Sequence, residues 1–254
     1  MFRIGFILLL MNKREKSILA GLYVSKFNEL ALKELEFKTY QEYFNTIGYS
    51  LGSKPSSIKN YRDEFDPYFP NSRKGWHKRK IRVYCKNVYD AFKDLSIAEF
   101  SELIKSFLID NYQIKKFINK EIRSDYSEII SKRLLTGKAA EEYFKMEFSK
   151  INLFNSYSLK DTTNMACGFD YKLSIDNNYY CVEVKGLNSN KGNILLTEKE
   201  YLIAEKLKSK YCLFIVKNFQ EKPFHEIIFD PIHSNLDFKK VKREVLQVSY
   251  NASI

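Results

Sequence analysis

Apolar residues recur at helical spacing through most of the first half of the chain, which predicts a mainly helical region. Pro55 suits the first turn of one helix, and Ser96 with Glu99 forms a capping-box pattern that opens another. We expect the first helix to break near Val24 and Ser25. The predicted helices span residues 13–35, 40–51, 55–65, 97–108 and 111–135.

The second half of the chain changes from helical spacing to short, strand-like runs. Thr136 and Gly137 are expected to interrupt the helical pattern. The predicted elements after them are a helix over 138–151, a hairpin of strands 168–175 and 179–185, a capped helix over 198–208, and strands 211–216 and 224–229. This order predicts an α/β (α+β) fold, with a helical region over residues 1–115 and a sheet-containing domain over 116–254.

The balance of charges is strongly basic. The chain of 254 residues has 42 lysines and arginines against 31 aspartates and glutamates, which gives a net charge of +11. Such an excess favours a polyanionic partner such as nucleic acid, although a merely Lys-rich protein would have the same composition. No basic amphipathic helix with a strong apolar face is evident, so we expect no membrane partner.

The four cysteines form no CxxC pair, and no histidine stands at zinc-finger spacing from them. We therefore expect buried free thiols, which suit a reducing cytoplasm. Residues 1–10 are apolar but too few to cross a bilayer, and basic residues follow them, which reverses the order of a signal peptide. One hypothesis is that translation begins at Met11.

The predicted hairpin carries the residues that point to chemistry. Asp170 lies on its first strand, and Glu183 and Lys185 lie two apart on its second, so these two share one face. Val182 and Val184 point to the other face, towards the core. Adjacent strands can place Asp170 beside Glu183, where two carboxylates would repel each other unless a divalent cation neutralised them. The alternative interpretation is a strand-end aspartate and a surface Glu183–Lys185 pair.

Oxygen ligands of this kind suit Mg²⁺, with Mn²⁺ as the alternative cation. A metal held by Asp170 and Glu183 would act as a Lewis acid and lower the pKa of a bound water. Lys185 could stabilise charge that develops on a phosphate or help to position the attacking water. The spacing of the three residues is therefore compatible with hydrolysis of phosphodiester bonds.

The motif Gly168-Phe169-Asp170 followed by the run 181–186 resembles the PD-(D/E)XK nuclease superfamily. With residues 137–141 before it and the runs 193–200 and 211–216 after it, the match is to a particular branch. That branch is found at the C-terminus of the plant NO VEIN protein and in prokaryotic restriction-type proteins. The resemblance covers roughly residues 130–220, and Phe169 stands where the superfamily name has proline. It implies a restriction-endonuclease-like mixed sheet flanked by helices.

The superfamily usually adds an acidic residue from the helix that precedes the strands. Glu141 and Glu142 both stand there, and helical spacing puts Glu141 at the edge of the buried stripe and Glu142 in solvent. We therefore expect Glu141 to complete the catalytic and metal-binding set, although it could be a simple boundary glutamate. Glu200 is most simply the capping-box glutamate of its helix, and a role in the active site is the lesser alternative.

Residues 40–65 read as helix, turn, helix, which loosely resembles a DNA-binding helix-turn-helix. Polar and basic side chains at the start of the second helix suit contacts with phosphates and base edges. The candidate DNA-binding residues there are Ser56, Ser57, Lys59, Asn60 and Arg62. An ordinary surface helix is an equally good interpretation of the same residues.

The run 73–80 contains six basic or potentially basic residues among eight, with the single tryptophan of the chain among them. A basic loop with an aromatic ring can hold phosphates and stack on a base. The candidate DNA-binding residues in it are Arg73, Lys74, Trp76, His77, Lys78 and Arg79. The alternative is a solvated charge run whose tryptophan packs back on the domain.

Taken with the resemblance, these features predict a cytoplasmic, Mg²⁺-dependent endonuclease of restriction type that cuts double-stranded DNA in prokaryotic defence. Its helical region would bind the DNA that the second domain cleaves. A homodimer would let two sites cut two strands. The alternatives are a non-cleaving DNA-binding regulator and a subunit of a defence complex, either of which would use the nuclease fold as a scaffold.

Overall fold

The computed structural model describes residues 11–73, 75–76, 78–108 and 124–241. The hypothesis of a start at Met11 and the predicted domain boundary after residue 115 depend on residues outside these ranges. So do two candidate DNA-binding residues, Lys74 and His77, and the first part of the helix predicted over 111–135.

The N-terminal half is helical, as the apolar spacing predicts. Its helices are α1 (Lys13–Phe27), α2 (Glu29–Glu34), α3 (Tyr40–Ser50), α4 (Pro55–Phe65), α5 (Val83–Phe92) and α6 (Ile97–Leu108). The break after α1 falls at Asn28, whose φ of 54° ends the helix, and not at the predicted Val24 and Ser25. Sequence spacing did not predict α5.

Local hydrogen bonds fix where these helices begin. The Asn12 side chain accepts from the backbone N–H of Glu15, while Glu15 accepts from Asn12, so α1 opens with a capping box. Ser96 and Glu99 cap α6 reciprocally, which confirms the predicted motif. The inward faces of the helices share one apolar core, which includes the fully buried Tyr23, Tyr43, Ile58, Phe65 and Phe100.

A long helix, α7 (Ser124–Glu147), links the helical half to the sheet. The predicted interruption at Thr136 and Gly137 is wrong, because the helix runs through both. Glycine inside a helix costs roughly 1 kcal/mol relative to alanine, and the contacts that hold α7 come from residues beside Gly137, since a methyl group added to Gly137 would meet nothing within 4 Å. A methyl group added to Gly186 of the sheet would lie 2.7 Å from the Thr136 carbonyl oxygen, so the strand and the helix approach almost backbone to backbone.

The C-terminal half is a five-stranded mixed sheet with strand order β1-β2-β3-β4-β5. The strands are β1 (Ser158–Asp161), β2 (Tyr171–Ile175), β3 (Asn178–Gly186), β4 (Tyr211–Lys217) and β5 (Phe224–Phe229), with helix α8 (Glu198–Leu207) between β3 and β4. Only β3 and β4 run parallel, and the other neighbours are antiparallel. The structure confirms the predicted α+β class and adds β1, a polar edge strand.

Two apolar cores meet along α7. Leu135 belongs to the core of the helical half, and Ala139 and Ala140 belong to the core beneath the sheet. Asn45 of α3 also reaches across, donating to the carbonyl oxygens of Phe219 and Glu221 at 2.8 and 2.9 Å. The halves are therefore packed against each other and share one helix. Within the described ranges, no helix combines the length and apolar character needed to span a bilayer.

Candidate active site

Asp170 sits at the entrance to β2 and is held from both sides. Its backbone N–H donates to the Val182 carbonyl at 2.9 Å, and its Oδ2 accepts from the Val184 N–H at 2.8 Å. Its own carbonyl accepts from the Thr162 N–H at 2.8 Å. The carboxylate of Asp170 therefore lies against β3 in a fixed orientation, as the hairpin predicts.

Strand β3 has the two-faced character expected from its sequence. Val182 and Val184 lie in the core beneath the sheet, while Glu183 and Lys185 occupy the opposite face. Glu183 is only 3% exposed, so the alternative interpretation of a surface Glu183–Lys185 pair is wrong for the glutamate. A buried carboxylate needs a partner, and the Lys185 Nζ donates directly to Glu183 Oε1.

Glu200 makes a second contact with Lys185 that the sequence assigned only as a lesser alternative. Its Oε2 accepts from the Lys185 Nζ at 3.0 Å. The same oxygen accepts from the Thr197 N–H at 2.8 Å, and the Thr197 hydroxyl accepts in return from the Glu200 N–H, which confirms the predicted capping box. A capping carboxylate is ordinary in sequence, so nothing there signalled that it also reaches β3.

Burial and mutual repulsion perturb the ionisation of these groups. Burial raises the pKa of Asp170 to about 6. Burial, together with the negative charge of Asp170, raises the pKa of Glu183 to about 9. Burial alone would lower the pKa of Lys185, but the charges of Glu183 and Glu200 outweigh it and the pKa is raised. Lys185 therefore stays protonated, but its single positive charge does not fully offset the negative charges of Asp170 and Glu183.

Of the neighbouring Glu141 and Glu142 on α7, Glu141 is the one whose ionisation responds to the charge of Asp170. Burial, then the charge of Asp170, raises its pKa to about 7. Glu142 instead pairs with Lys145 at 2.6 Å. The Tyr171 hydroxyl donates to the Glu141 carbonyl at 3.5 Å, which joins this turn of α7 to the start of β2. The Glu142 side chain is 27% exposed and therefore does not lie in solvent, where helical spacing predicted it, and the assignment of Glu141 to the metal-binding set stays a prediction.

The donor chemistry of the site fits a divalent cation. Asp170, Glu183 and Glu141 offer hard carboxylate oxygens, and the pKa of each is raised by burial, so a bound cation would relieve a real electrostatic cost. Among the described side chains, no three acidic, histidine or cysteine groups converge closely enough to enclose an ion. Glu183 turns towards Lys185 instead, and it would have to rotate to join Asp170 around a metal.

In the helical half, α3 and α4 form the predicted helix-turn-helix pair. Ser56, Lys59 and Asn60 lie on the exposed face of α4, and Ser57 is partly exposed. Their contact with DNA stays a prediction.

The structure corrects the assignment of Arg62 and Arg73 as DNA-binding residues. Arg62 is buried and pairs with Asp63 at 2.5 Å and with Asp66 at 3.8 Å. Arg73 pairs with Asp66 at 2.6 Å. The Asp66 side chain is fully buried, and a buried carboxylate is tolerated only when it is paired, so both guanidinium groups serve the fold. Sequence spacing could not show that Asp66 points inward.

The basic loop, residues 73–80, is exposed at Lys78 and Arg79. Its Trp76 is only partly exposed, which agrees with the alternative interpretation that the tryptophan packs back on the domain. The backbone N–H of Trp76 donates to the Asp63 carbonyl at 2.8 Å. The Arg79 and Arg82 guanidinium groups lie 4.6 and 5.6 Å from the centre of the Trp76 ring. Lys78 and Arg79 are exposed, so they remain available to a phosphate.

Comparison with known proteins finds that part of the chain, including the candidate site, is similar to one protein family. No curated protein and no solved structure shows a significant match to the chain. One family model, described as Protein NO VEIN, C-terminal, matches residues 140–228. The matched segment contains Glu141, Asp170, Glu183, Lys185 and Glu200. Residues 140–228, which run from α7 to the end of the sheet, are thus similar to the C-terminal region of the NO VEIN protein.

Proposed function

We propose that the protein is a Mg²⁺-dependent deoxyribonuclease that hydrolyses phosphodiester bonds in double-stranded DNA. The observation that carries the proposal is the cluster formed by Asp170, Glu183 and Lys185 at the β2–β3 hairpin. Asp170 is fixed on a backbone N–H of β3, and burial together with the charge of Asp170 raises the pKa of Glu183, which pairs with Lys185. This is an acid–acid–lysine arrangement with perturbed ionisation, which is typical of a catalytic site. The match of residues 140–228 to the NO VEIN C-terminal model supports it further.

Asp170 and Glu183, with Glu141 beside them, are the residues that would hold the cation. Bound there, Mg²⁺ would supply Lewis-acid activation of the phosphate and a lowered pKa of water. Asp170 is already fixed by the Val184 N–H, so it needs no reorganisation to act as a ligand. Glu183 must turn away from Lys185, and because burial and the charge of Asp170 raise the pKa of its carboxyl to about 9, the cation has to displace its proton.

Lys185 has a second acceptor that keeps it in place during this change. Its Nζ contacts both Glu183 and Glu200, so it can stay on Glu200 when Glu183 faces the cation. With its pKa raised, the ammonium group is charged at neutral pH. It can then donate to a non-bridging phosphate oxygen and stabilise the negative charge that develops as the bond breaks.

DNA is the proposed substrate because the chain carries a net charge of +11 and an exposed polar face on α4. Ser56, Lys59 and Asn60 on that face suit phosphate and base contacts. The resemblance to restriction-type nucleases makes prokaryotic defence the proposed setting and a homodimer the proposed assembly for double-strand cleavage.

The proposal is tested by incubating the purified protein with duplex DNA, single-stranded DNA and RNA in Mg²⁺, Mn²⁺ or EDTA. We expect metal-dependent cleavage of duplex DNA that is lost in Asp170→Ala and Lys185→Ala. Equal cleavage by the wild type and both variants would refute the site. Salt-dependent binding without cleavage would favour a DNA-binding regulator, and the absence of both would favour a subunit of a larger complex.

A further inference from the structure

A basic cavity lies in the helical half, apart from the acidic cluster. It has a volume of about 370 Å³ and lies between the first turn of α1, the α3–α4 turn and the first turns of α4. Its lining includes Lys13, Arg14, Ser17, Ser53, Ser57 and Tyr61. These residues offer two cations and several hydroxyl groups, and no carboxylate lines the cavity. That chemistry suits a phosphate group.

Two of the lining side chains, Lys13 and Ser57, are available to a ligand. Lys13 has no carboxylate within ion-pair distance in the part of the chain that the structure describes. The Ser57 hydroxyl likewise has no hydrogen-bond partner there. Ser17 and Ser53 bond to each other at 3.0 Å and join α1 to the α3–α4 turn, so the wall between them is braced.

The cavity borders the helix that carries Glu141. At the α3–α4 turn, Gly52 has a φ of 59°, and a methyl group added to it would lie 3.2 Å from Lys13 Nζ and 3.0 Å from Glu142 Oε2. The Lys13 Nζ and the Glu142 carboxylate therefore both lie beside the same glycine. Glu142 is paired with Lys145, which offsets its repulsion of an anion in the cavity. The cavity and α7 therefore approach each other at Gly52.

A series of arginines and aromatic rings continues from the cavity to the basic loop. The Arg14 guanidinium lies 3.9 Å from the centre of the Tyr84 ring, and Arg82 lies 4.9 Å from the same centre. Arg82 and Arg79 then flank Trp76. The charge of Arg82 is largely offset by Glu64, while Arg14 and Arg79 are exposed. Alternating cations and rings are a common surface for the backbone and bases of nucleic acids.

We propose that this cavity binds a backbone phosphate of DNA, which holds the duplex beside the active site. The inference rests on the proposed function and deepens it, since it identifies where the substrate is held outside the acidic cluster. Lys13 and Ser57 are the principal ligands, and the Arg14–Tyr84 pair extends the contact along the strand.

Binding of a short duplex is measured in EDTA over a range of salt concentrations, so that no metal and no cleavage enter the result. Each phosphate contact contributes about 0.9 to the slope of log K against log salt. We expect Lys13→Ala to reduce the magnitude of that slope by about 1 and to weaken binding to every DNA sequence. Lys33→Ala removes the same charge from an exposed site outside the cavity and should change neither quantity.

A second pair of variants tests the cavity itself. Ser57→Asp puts a negative charge into it and should weaken binding more than the uncharged, similarly sized Ser57→Asn. If the wild type binds DNA and both Lys13→Ala and Ser57→Asp retain its slope, the phosphate site is refuted while the nuclease proposal stands. If the wild type shows no salt-dependent binding, the phosphate site is also refuted, and the cleavage assay decides whether the nuclease proposal falls with it.

Discussion

Glu200 Oε2 accepts hydrogen bonds from the Lys185 Nζ at 3.0 Å and from the Thr197 N–H at 2.8 Å. One carboxylate thus caps α8 and holds the lysine of the candidate site. Glu200 therefore connects the start of α8 to the end of β3. A change at Glu200 should affect stability through the helix cap and activity through Lys185.

Glu200→Gln and Glu200→Ala separate these two roles. Glutamine can still accept from Thr197 but has no charge to hold Lys185, so we expect near-normal stability with a reduced cleavage rate constant. Alanine also removes the Glu200 half of the capping box, which should lower the free energy of unfolding in urea by a further amount of about 0.5–2 kcal/mol. Equal activity of Glu200→Gln and the wild type would contradict the role in positioning Lys185.

Glu141→Gln should stabilise the metal-free protein at alkaline pH. The pKa of Glu141 is raised to about 7 from a usual value of 4.5, so the folded state holds its proton more tightly than the unfolded state does. Its ionisation therefore destabilises the fold increasingly as pH rises from 4.5 to 7. We expect a higher melting temperature for the variant at pH 8, little difference at pH 5, and loss of cleavage.

Glu142→Gln is the matched control for that experiment. It removes a partly exposed ion pair with Lys145, so it should be neutral or slightly destabilising, by about 0–1 kcal/mol. A stabilisation of Glu142→Gln equal to that of Glu141→Gln at pH 8 would show that the effect does not come from the active-site cluster.

Mg²⁺ should raise the melting temperature of the wild type, because it binds the folded site and not the dispersed carboxylates of the unfolded chain. The rise should be larger at pH 8 than at pH 6, since Asp170 and Glu141, with pKa values of about 6 and 7, hold protons that the cation must displace. Thermal melts at constant ionic strength measure this. An equal rise in Asp170→Asn would mean that the cation binds elsewhere.

The joint between the two halves depends on Glu42. Its side chain is fully buried and accepts from the Lys132 Nζ at 2.7 Å and from the Asn188 side chain at 2.8 Å. Glu42→Ala leaves both donors without this partner, so we expect a loss of about 3 kcal/mol in urea unfolding. Lys86→Ala breaks an exposed pair with Asp90 and should cost at most about 1 kcal/mol. Similar losses in the two variants would contradict the importance of burial.

Local sequence signals predicted the elements that carry the site. Two helix starts are fixed by the capping boxes at Ser96 and Thr197, whose hydrogen bonds join residues three apart. The turn before β3 contains Asp176 with a positive φ. Signals over so few residues can be read from the sequence directly. The alternation of Val182 and Val184 with charged residues likewise predicted which face of β3 carries the chemistry.

Long-range packing decided what the sequence did not reveal. Gly137 looked like a helix breaker, but the packing of α7 on α3 and β3 keeps the helix intact. The sequence indicated that Arg62 and Arg73 are surface cations, whereas in the structure both pair with the buried carboxylate of Asp66. The contact of Glu200 with Lys185 joins residues 15 positions apart on different elements, and no local pattern encodes such a contact.

Asp170 is the residue on which the proposed metal-dependent cleavage of DNA depends most. The most direct measurement is the single-turnover rate constant for cleavage of duplex DNA in Mg²⁺ by the wild type, Asp170→Asn and Asp237→Asn. Asparagine can still accept from the Val184 N–H, and Asp237 is an exposed aspartate outside the site. We expect a loss of at least about a hundredfold in Asp170→Asn and none in Asp237→Asn. Equal rate constants for all three proteins would contradict this expectation.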